Sequence, residues 1–287
     1  YSCGNYGDPA FAKDCLEIYS YVRECNPTVR LGIHTNGGMR NPAWWAKLAQ
    51  HNIDVTFAVD GFKGKHELYR KNTKFDKVIE NLKAFCDAGG IARVDSLVFE
   101  HNEHEVDELE SYLLSLGVQE VNFVSTTRFY EMKEFEVHDN NGNVEYTIAP
   151  AQTERFKKTP NNSLNALVDP AVRNAAVESA IIEPKCVTEK GVYIDPYGNI
   201  FPCCWIGGEY IEQPVEEKLP IHYLRNLSVD NTKTILKTVG VPNCHDAVLN
   251  TNENLFKKMP DFWQGKNKCL TCVKACSKAL YDNRKNA

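Results

Sequence analysis

The sequence predicts an α/β protein: repeated β-α units over residues 1–128, followed by a small cysteine-rich α+β module over 129–287. Three observations carry this expectation. The apolar pattern switches repeatedly between a helix period and a strand period. Polar residues close the strand-like runs near positions 8, 36, 60, 101 and 125, mostly 24 to 28 residues apart, close to one β-α unit. Of the 11 cysteines, seven fall within residues 186–287.

Leu16, Ile18, Tyr19 and Val22 fit one helical stripe. Val29, Leu31 and Ile33 then alternate as a strand that stops at His34-Thr35-Asn36-Gly37-Gly38. Pro42 suits a first helical turn, and Trp44, Trp45, Leu48 and Ala49 continue that helix. Ile53, Val55, Phe57 and Val59 form the next strand and share one face, leaving Asp54, Thr56, Ala58 and Asp60 on the other. With the bulky face against helices, Asp60 points into the mouth of the sheet. A plain Asp60-Gly61 turn is the equal alternative, as is a turn at Asn36-Gly37 or a capping role for His101. An extra segment around Tyr69-Arg70 lengthens the following connection. A helix from Phe75 to Ala88 is closed by Gly89-Gly90. A strand through Leu97 to Phe99 ends at His101-Asn102, a helix covers Val106 to Leu116, and a strand covers Val121 to Val124. Parallel strands with outer helices make a barrel or a doubly wound sheet, and in both the polar C-terminal strand ends line the site.

Beyond residue 125 the pattern changes. Residues 129–148 read as a hairpin turning at Asp139-Asn140-Asn141-Gly142-Asn143. Polar, proline-punctuated helical stretches lead to about 184. A second hairpin turns at Asp195-Pro196-Tyr197-Gly198-Asn199, with Cys186 before it and Cys203 at its exit. A helical linker over 229–258 leads to Cys269-Leu270-Thr271-Cys272-Val273-Lys274-Ala275-Cys276.

Composition narrows the function. At 43% hydrophobic and 25% charged residues, the chain has the makeup of a globular protein. No apolar run approaches the roughly 20 residues of a membrane span, so a membrane partner is not expected. With 33 basic against 38 acidic residues and no basic stripe, nucleic acid is not the expected partner. Cysteines clustered in one half suggest a metal-bearing module on a reduced, cytoplasmic protein.

Two cysteines separated by two residues can turn both sulfurs toward one metal group, and Cys186 and Cys203 would complete a four-thiolate site with Cys269 and Cys272. Spacing alone suits zinc and an iron–sulfur cluster equally. Cys276, one helical turn beyond Cys272, competes for a ligand place. Cys204 follows Cys203 directly and, in an extended strand, faces the other way. Cys244 and the dispersed Cys3, Cys15, Cys25 and Cys86 read as buried thiols.

The order Gly7-Asp8-Pro9, Thr35-Asn36-Gly37, Phe57-Ala58-Val59-Asp60-Gly61 and His101-Asn102 at successive strand ends resembles the radical S-adenosylmethionine (SAM) enzymes. The Cys-hairpin-Pro-Cys segment followed by CxxC is similar to their C-terminal SPASM or twitch extension. The resemblance implies a partial (β/α) TIM-like barrel of parallel strands that uses SAM to generate a 5′-deoxyadenosyl radical for hydrogen abstraction. It implies that Gly7 and Asp8 hold the methionyl amino group, that Thr35 and Asn36 lie beside the cofactor, and that Asp60 lies near its ribose and the substrate. Asn102 and Arg128 stand where ribose and carboxylate contacts are common. Cys186, Cys203, Cys269 and Cys272 would ligate an auxiliary 4Fe-4S cluster. The implied partners are a peptide or small-molecule substrate and an electron donor such as flavodoxin or ferredoxin.

Three features depart from that family. The CxxxCxxC loop that binds the catalytic 4Fe-4S cluster is absent from these residues, and it is expected upstream of Tyr1 in a longer chain. Asp8 is one methylene shorter than the usual glutamate. The spacing of Cys269, Cys272 and Cys276 suits one auxiliary cluster rather than two. Replacing Asp8 or Asp60 by its amide is expected to cost about 0.5 kcal/mol of stability or less. The rival expectation is a non-catalytic scaffold with a structural zinc or iron–sulfur site that docks a partner.

Overall fold

In a computed structural model the described residues are 2, 4, 7–126, 129, 134–157, 170–188, 192–195, 197–211, 220–241, 255–265 and 268–277. Arg128 and Cys244 lie outside them, as does Cys3. The chain divides into two compact units, Tyr1–Lys158 and Thr159–Ala287.

The first unit is built as the periodicity demands. Asp8 caps a short 3₁₀ turn (Pro9–Phe11) by accepting from the Ala10 N–H at 3.0 Å. Helix α1 (Cys15–Cys25) leads to strand β1 (Leu31–Thr35). Asn41 caps α2 (Pro42–Ala49) from its side chain, with Pro42 in the first turn. Strand β2 (Ile53–Ala58), the short α3 (His66–Tyr69), α4 (Phe75–Asp87), β3 (Ile91–Val98), α5 (Val106–Ser115) and β4 (Glu120–Ser125) follow. The four strands are parallel in the order β1-β2-β3-β4. Ser2 bridges Ile33 in parallel on the far side of β1. A doubly wound sheet reverses direction after its first strand. These strands never reverse, which is the winding of a partial barrel.

The core lies between sheet and helices. Ile53, Val55, Phe57 and Val59 are at most 1% exposed, whereas Asp54, Thr56 and Ala58 on the opposite face are only half-buried. Trp45, Phe57 and Phe85 meet with ring centroids 5.0, 5.9 and 6.5 Å apart.

The first hairpin belongs to this unit. Strands β5 (Phe135–His138) and β6 (Val144–Ile148) are antiparallel. The Tyr146 hydroxyl donates to the Leu68 carbonyl at 2.7 Å. Lys71 donates to the His138 carbonyl at 2.9 Å and pairs with Glu145. Buried Glu103 accepts from the Gln152 and Thr153 N–H groups, both at 2.8 Å. These long-range contacts tie residues 135–153 to the first compact unit, which runs to Lys158, whereas the change of pattern predicts a boundary after residue 128.

The second unit has short elements: α6 (Pro170–Ser179), α7 (Lys185–Thr188), β7 (Tyr193–Ile194), β8 (Ile200–Phe201), α8 (Cys204–Ile211), α9 (Pro220–Val239), α10 (Leu255–Lys258) and α11 (Leu270–Cys276). Phe201, Ile206, Ile235, Leu236, Val239 and Met259 pack around Cys269 and Cys272. Cys204 starts α8 rather than continuing a strand, so a strand's alternation does not set its direction. Among the described residues no helix is long and apolar enough to cross a membrane.

Both hairpins use one turn device, Asp-x-x-Gly-Asn. In each, the Asp carboxylate accepts from the N–H groups two and four residues on and from the Asn amide. Gly142 and Gly198 take φ of +86° and +80°, a region that favours glycine.

Candidate functional site at the strand ends

Polar groups collect at the C-terminal edge of the sheet. Asp8 faces the end of β1, where its carboxylate accepts from the Thr35 hydroxyl at 2.9 Å and the Asn36 N–H at 2.6 Å. With the Ala10 N–H this makes three donors, and a carboxylate has about four acceptor sites. One site of half-buried Asp8 is left for an ammonium. Thr35 Oγ1 also accepts from the Gly37 N–H at 3.0 Å, and Asn36 Oδ1 from the Gly38 N–H at 2.9 Å. Gly7 lies in the same turn at φ +122°.

The end of β2 is organised differently. Asp60 is 0% exposed. Its Oδ1 accepts from the Leu97 N–H at 2.7 Å, and its Oδ2 accepts from Arg70 Nε at 2.6 Å. Asn102, 2% exposed, accepts from the Phe99 N–H at 2.7 Å and donates to the Leu97 and Asp60 carbonyls at 2.9 and 3.2 Å. Gly61 sits between them at φ +107°, and a Cβ there would stand 2.9 Å from Glu105 Oε1. Asp60 and Asn102 are therefore tied to protein partners, and their reach toward a ligand runs through Arg70 and the loop backbone. The expected small cost of an amide at Asp60 does not hold, because the change would leave the half-buried Arg70 charge without its partner.

Arg70 is the group that sequence reasoning missed. It lines an open cleft of about 430 Å³ together with Asn36, Tyr69, Lys71, Asn72 and Thr73. Asp60 holds its Nε, and the Tyr69 ring lies 5.6 Å from its guanidinium carbon. Among the described residues neither Nη nitrogen has a hydrogen-bond partner, and the same holds for the Asn36 amide nitrogen. The cleft thus presents unused donors, which suit an anionic acceptor such as a carboxylate. The signal was present as one arginine in the extra segment after β2. Its geometry was not, because Asp60 is ten residues away in sequence.

On the half-buried face of the sheet, His34 Nδ1 lies 4.0 Å from Asp95 Oδ2, and Asn122 donates to Asp95 at 3.3 Å. Lower on that face Asp54 pairs with Arg30 and Arg93 at 2.8 and 3.3 Å. This polar interior was legible as period-two alternation in β3 but carried no motif.

In the second unit, Cys269 is 0% and Cys272 8% exposed at the start of α11. The Cys272 thiol donates to Cys269, which lowers the Cys269 pKa and raises that of Cys272. Burial pushes the Cys203 thiol up to about 11, with the neighbouring Cys186 and Cys276 adding to the rise. Asn231 caps the Leu270 N–H at 2.8 Å, and buried Lys268 donates to the carbonyls of Val177, Glu178 and Ala180 at 3.0, 2.8 and 2.7 Å. Charge on Cys203 or Cys269 also raises the Cys272 thiol, so Cys203 stands near both the CxxC pair and the Cys186 and Cys276 thiols. Among the described residues no three His, Cys, Asp or Glu side chains are arranged to hold a metal ion. Thiols are the ligands that both iron–sulfur clusters and structural zinc take, so the chemistry of the donor set suits either group.

No protein-family model and no curated protein matches the chain. Among solved structures, Streptococcus suis SuiB bound to S-adenosylmethionine is similar at a TM-score of 0.46 and 11% identity, over 89% of this chain and 55% of that one. Native anSMEcpe with bound AdoMet is similar at a TM-score of 0.41 and 13% identity, over 69% and 58% of the two chains. The same protein with AdoMet and the Cp18Cys peptide gives 0.43 and 11%, over 98% and 80%. This chain spans 55% and 58% of the length of the first two. At such scores and identities, what the strand-end residues do is decided by their own chemistry.

Proposed function

We propose that these residues are part of a radical SAM enzyme, with the strand-end cleft as its SAM site. The observation that carries this is the pairing, at one sheet edge, of an unsaturated carboxylate with an unused guanidinium fork. An amino acid cofactor needs both, one for its ammonium and one for its carboxylate. Asp8, oriented by Thr35 and Asn36, takes the ammonium. Arg70, aligned by Asp60, takes the carboxylate with the Asn36 amide beside it. Asn102 holds the ends of β2 and β3 in register, and Arg128 is a further candidate for a cofactor contact. When bound, SAM supplies the radical that abstracts hydrogen from a peptide or small-molecule substrate. The chain's part is to fix the cofactor and keep water away.

Cys186, Cys203, Cys269 and Cys272, with Cys276 as the competing ligand, would hold an auxiliary 4Fe-4S cluster whose chemistry is electron transfer. Flavodoxin or ferredoxin is the proposed donor, and the cytoplasm the proposed compartment. The catalytic CxxxCxxC loop is not among these 287 residues. This chain alone, given iron, sulfide and a strong reductant, should therefore yield no 5′-deoxyadenosine above background.

The test is calorimetric titration of the chain with SAM, wild type against Asp8→Asn. Binding weakened about tenfold by the amide supports the site; equal affinity overturns it. Iron and sulfide assays after anaerobic reconstitution decide the cluster. Cys269→Ala and Cys272→Ala should empty it, whereas stoichiometric zinc without iron favours the scaffold reading.

A further inference from the structure

His66 is 0% exposed and does not itself line the cleft, yet it touches both ends of the loop that carries Arg70. Its Nδ1 accepts from the Asp60 N–H at 3.1 Å. Its Nε2 lies 3.0 Å from Thr73 Oγ1. Thr73 has one hydroxyl proton, and that proton goes to the Arg70 carbonyl at 2.9 Å. Thr73 Oγ1 can then only accept from the ring, so the ring proton resides on Nε2. The Arg70 N–H closes the loop by donating to the His66 carbonyl at 3.0 Å. Each nitrogen of the imidazole thus has one assigned task, and a second ring proton would face the Asp60 N–H.

We propose that His66 is a positioning residue for anion recognition: its Nε2–H tautomer ties Asp60 to Thr73 and so fixes the Arg70 fork in the cleft. The chain of contacts is continuous. His66 sets the Asp60 backbone, the Asp60 carboxylate holds Arg70 Nε at 2.6 Å, and Thr73 holds the Arg70 carbonyl. The surroundings keep the ring neutral. Burial and then the Arg70 charge lower its pKa to about 4, against a small opposing influence of Glu67. Glu67 is itself occupied by the Gly64 and Phe75 N–H groups at 2.7 and 2.9 Å, and the Phe75 ring packs 6.1 Å from the imidazole. Only the identity of the anion, the SAM carboxylate, depends on the function proposed above.

The experiment uses the 287-residue chain with two probes, SAM and decarboxylated SAM, which lacks the anion. Wild type should prefer SAM about tenfold, the value of a charge-assisted bidentate contact. Folded His66→Leu should lose that preference while binding decarboxylated SAM within about twofold of wild type; a merely structural role would weaken both equally. Thr73→Val, which cuts one link of the chain, gives the same readout should His66→Leu not fold. A retained preference in either variant overturns the proposal. Nitrogen NMR of the wild-type ring at pH 6 should show a proton on Nε2 alone. A proton on Nδ1 overturns the proposal whatever binds. If wild type binds neither probe, the SAM site falls, and the ring tautomer together with slow exchange of Arg70 Nε–H, lost in His66→Leu, still decides the role of His66.

Discussion

The two units keep their order by different means. In the first, large apolar rings meet directly, and β2 and β3 each bury one alternating face, with Val121 and Phe123 of β4 packed only partly against the same core. Among its buried polar groups, Asp60, His66 and Asn102 are matched by protein partners. In the second, strands of two residues frame an apolar cluster that contains two sulfurs, and polar clamps from Lys268 and Asn231 hold the loop bearing them. Packing alone can specify the first arrangement. The second has a smaller apolar cluster built around two thiols, and under the function proposed above its order would be coupled to the cluster those thiols hold.

The comparison can be broken from the first unit's side. Phe57→Ala should cost about 3–5 kcal/mol, because Trp45 and Phe85 cannot close the cavity. Urea unfolding followed at Trp44 and Trp45 checks this, and a loss below about 1 kcal/mol would mean that the rings do not hold the unit together. Next in size is Asp60→Asn, which leaves Arg70 without its buried partner and should cost about 3 kcal/mol. A melting temperature unchanged by this substitution would show that Arg70 turns outward and that the pair is not fixed.

Acid gives a smaller effect with a defined sign. His66 has an ordinary pKa of 6.5 and is held near 4 in the folded chain. As pH falls the unfolded chain takes up the proton first. The contribution is fully present above about 6.5 and is lost progressively toward 4, on the order of 2 kcal/mol of it by pH 5. Denaturation series at pH 7.5, 6 and 5 should show this slope, and His66→Leu should flatten it.

The smallest expected effect sharpens the comparison, since the same turn occurs in both units. Asp139 lies on an exposed turn, whereas Asp195 is 5% exposed. Asp139→Ala should cost about 0.5 kcal/mol and Asp195→Ala about 1–2 kcal/mol, because the hydrogen bonds of Asp195 are part-buried whereas those of Asp139 are open to water. Equal costs, measured by hydrogen exchange in each hairpin, would remove the distinction.

Local rules made much of the first unit legible. Pro42 after Asn41, the alternation Ile53-Val55-Phe57-Val59 and the Gly89-Gly90 stop each act within a few residues, and the elements formed where the pattern placed them. The cysteine spacing and the two Asp-x-x-Gly-Asn turns are local in the same way. What tertiary structure decided was which polar groups remain available. Asp8 and Asp60 look alike as acids at strand ends, yet one keeps an open acceptor site while the other is enclosed between Leu97 and Arg70. The hairpin over 135–148 joins the first unit through Tyr146, Lys71 and Ile148, whose partners lie as far as 78 residues away in sequence. Hydrophobic period reports which face is buried because burial follows a repeating geometry. Satisfaction of a carboxylate depends on the few donors that folding brings within 3 Å, and no local pattern encodes them.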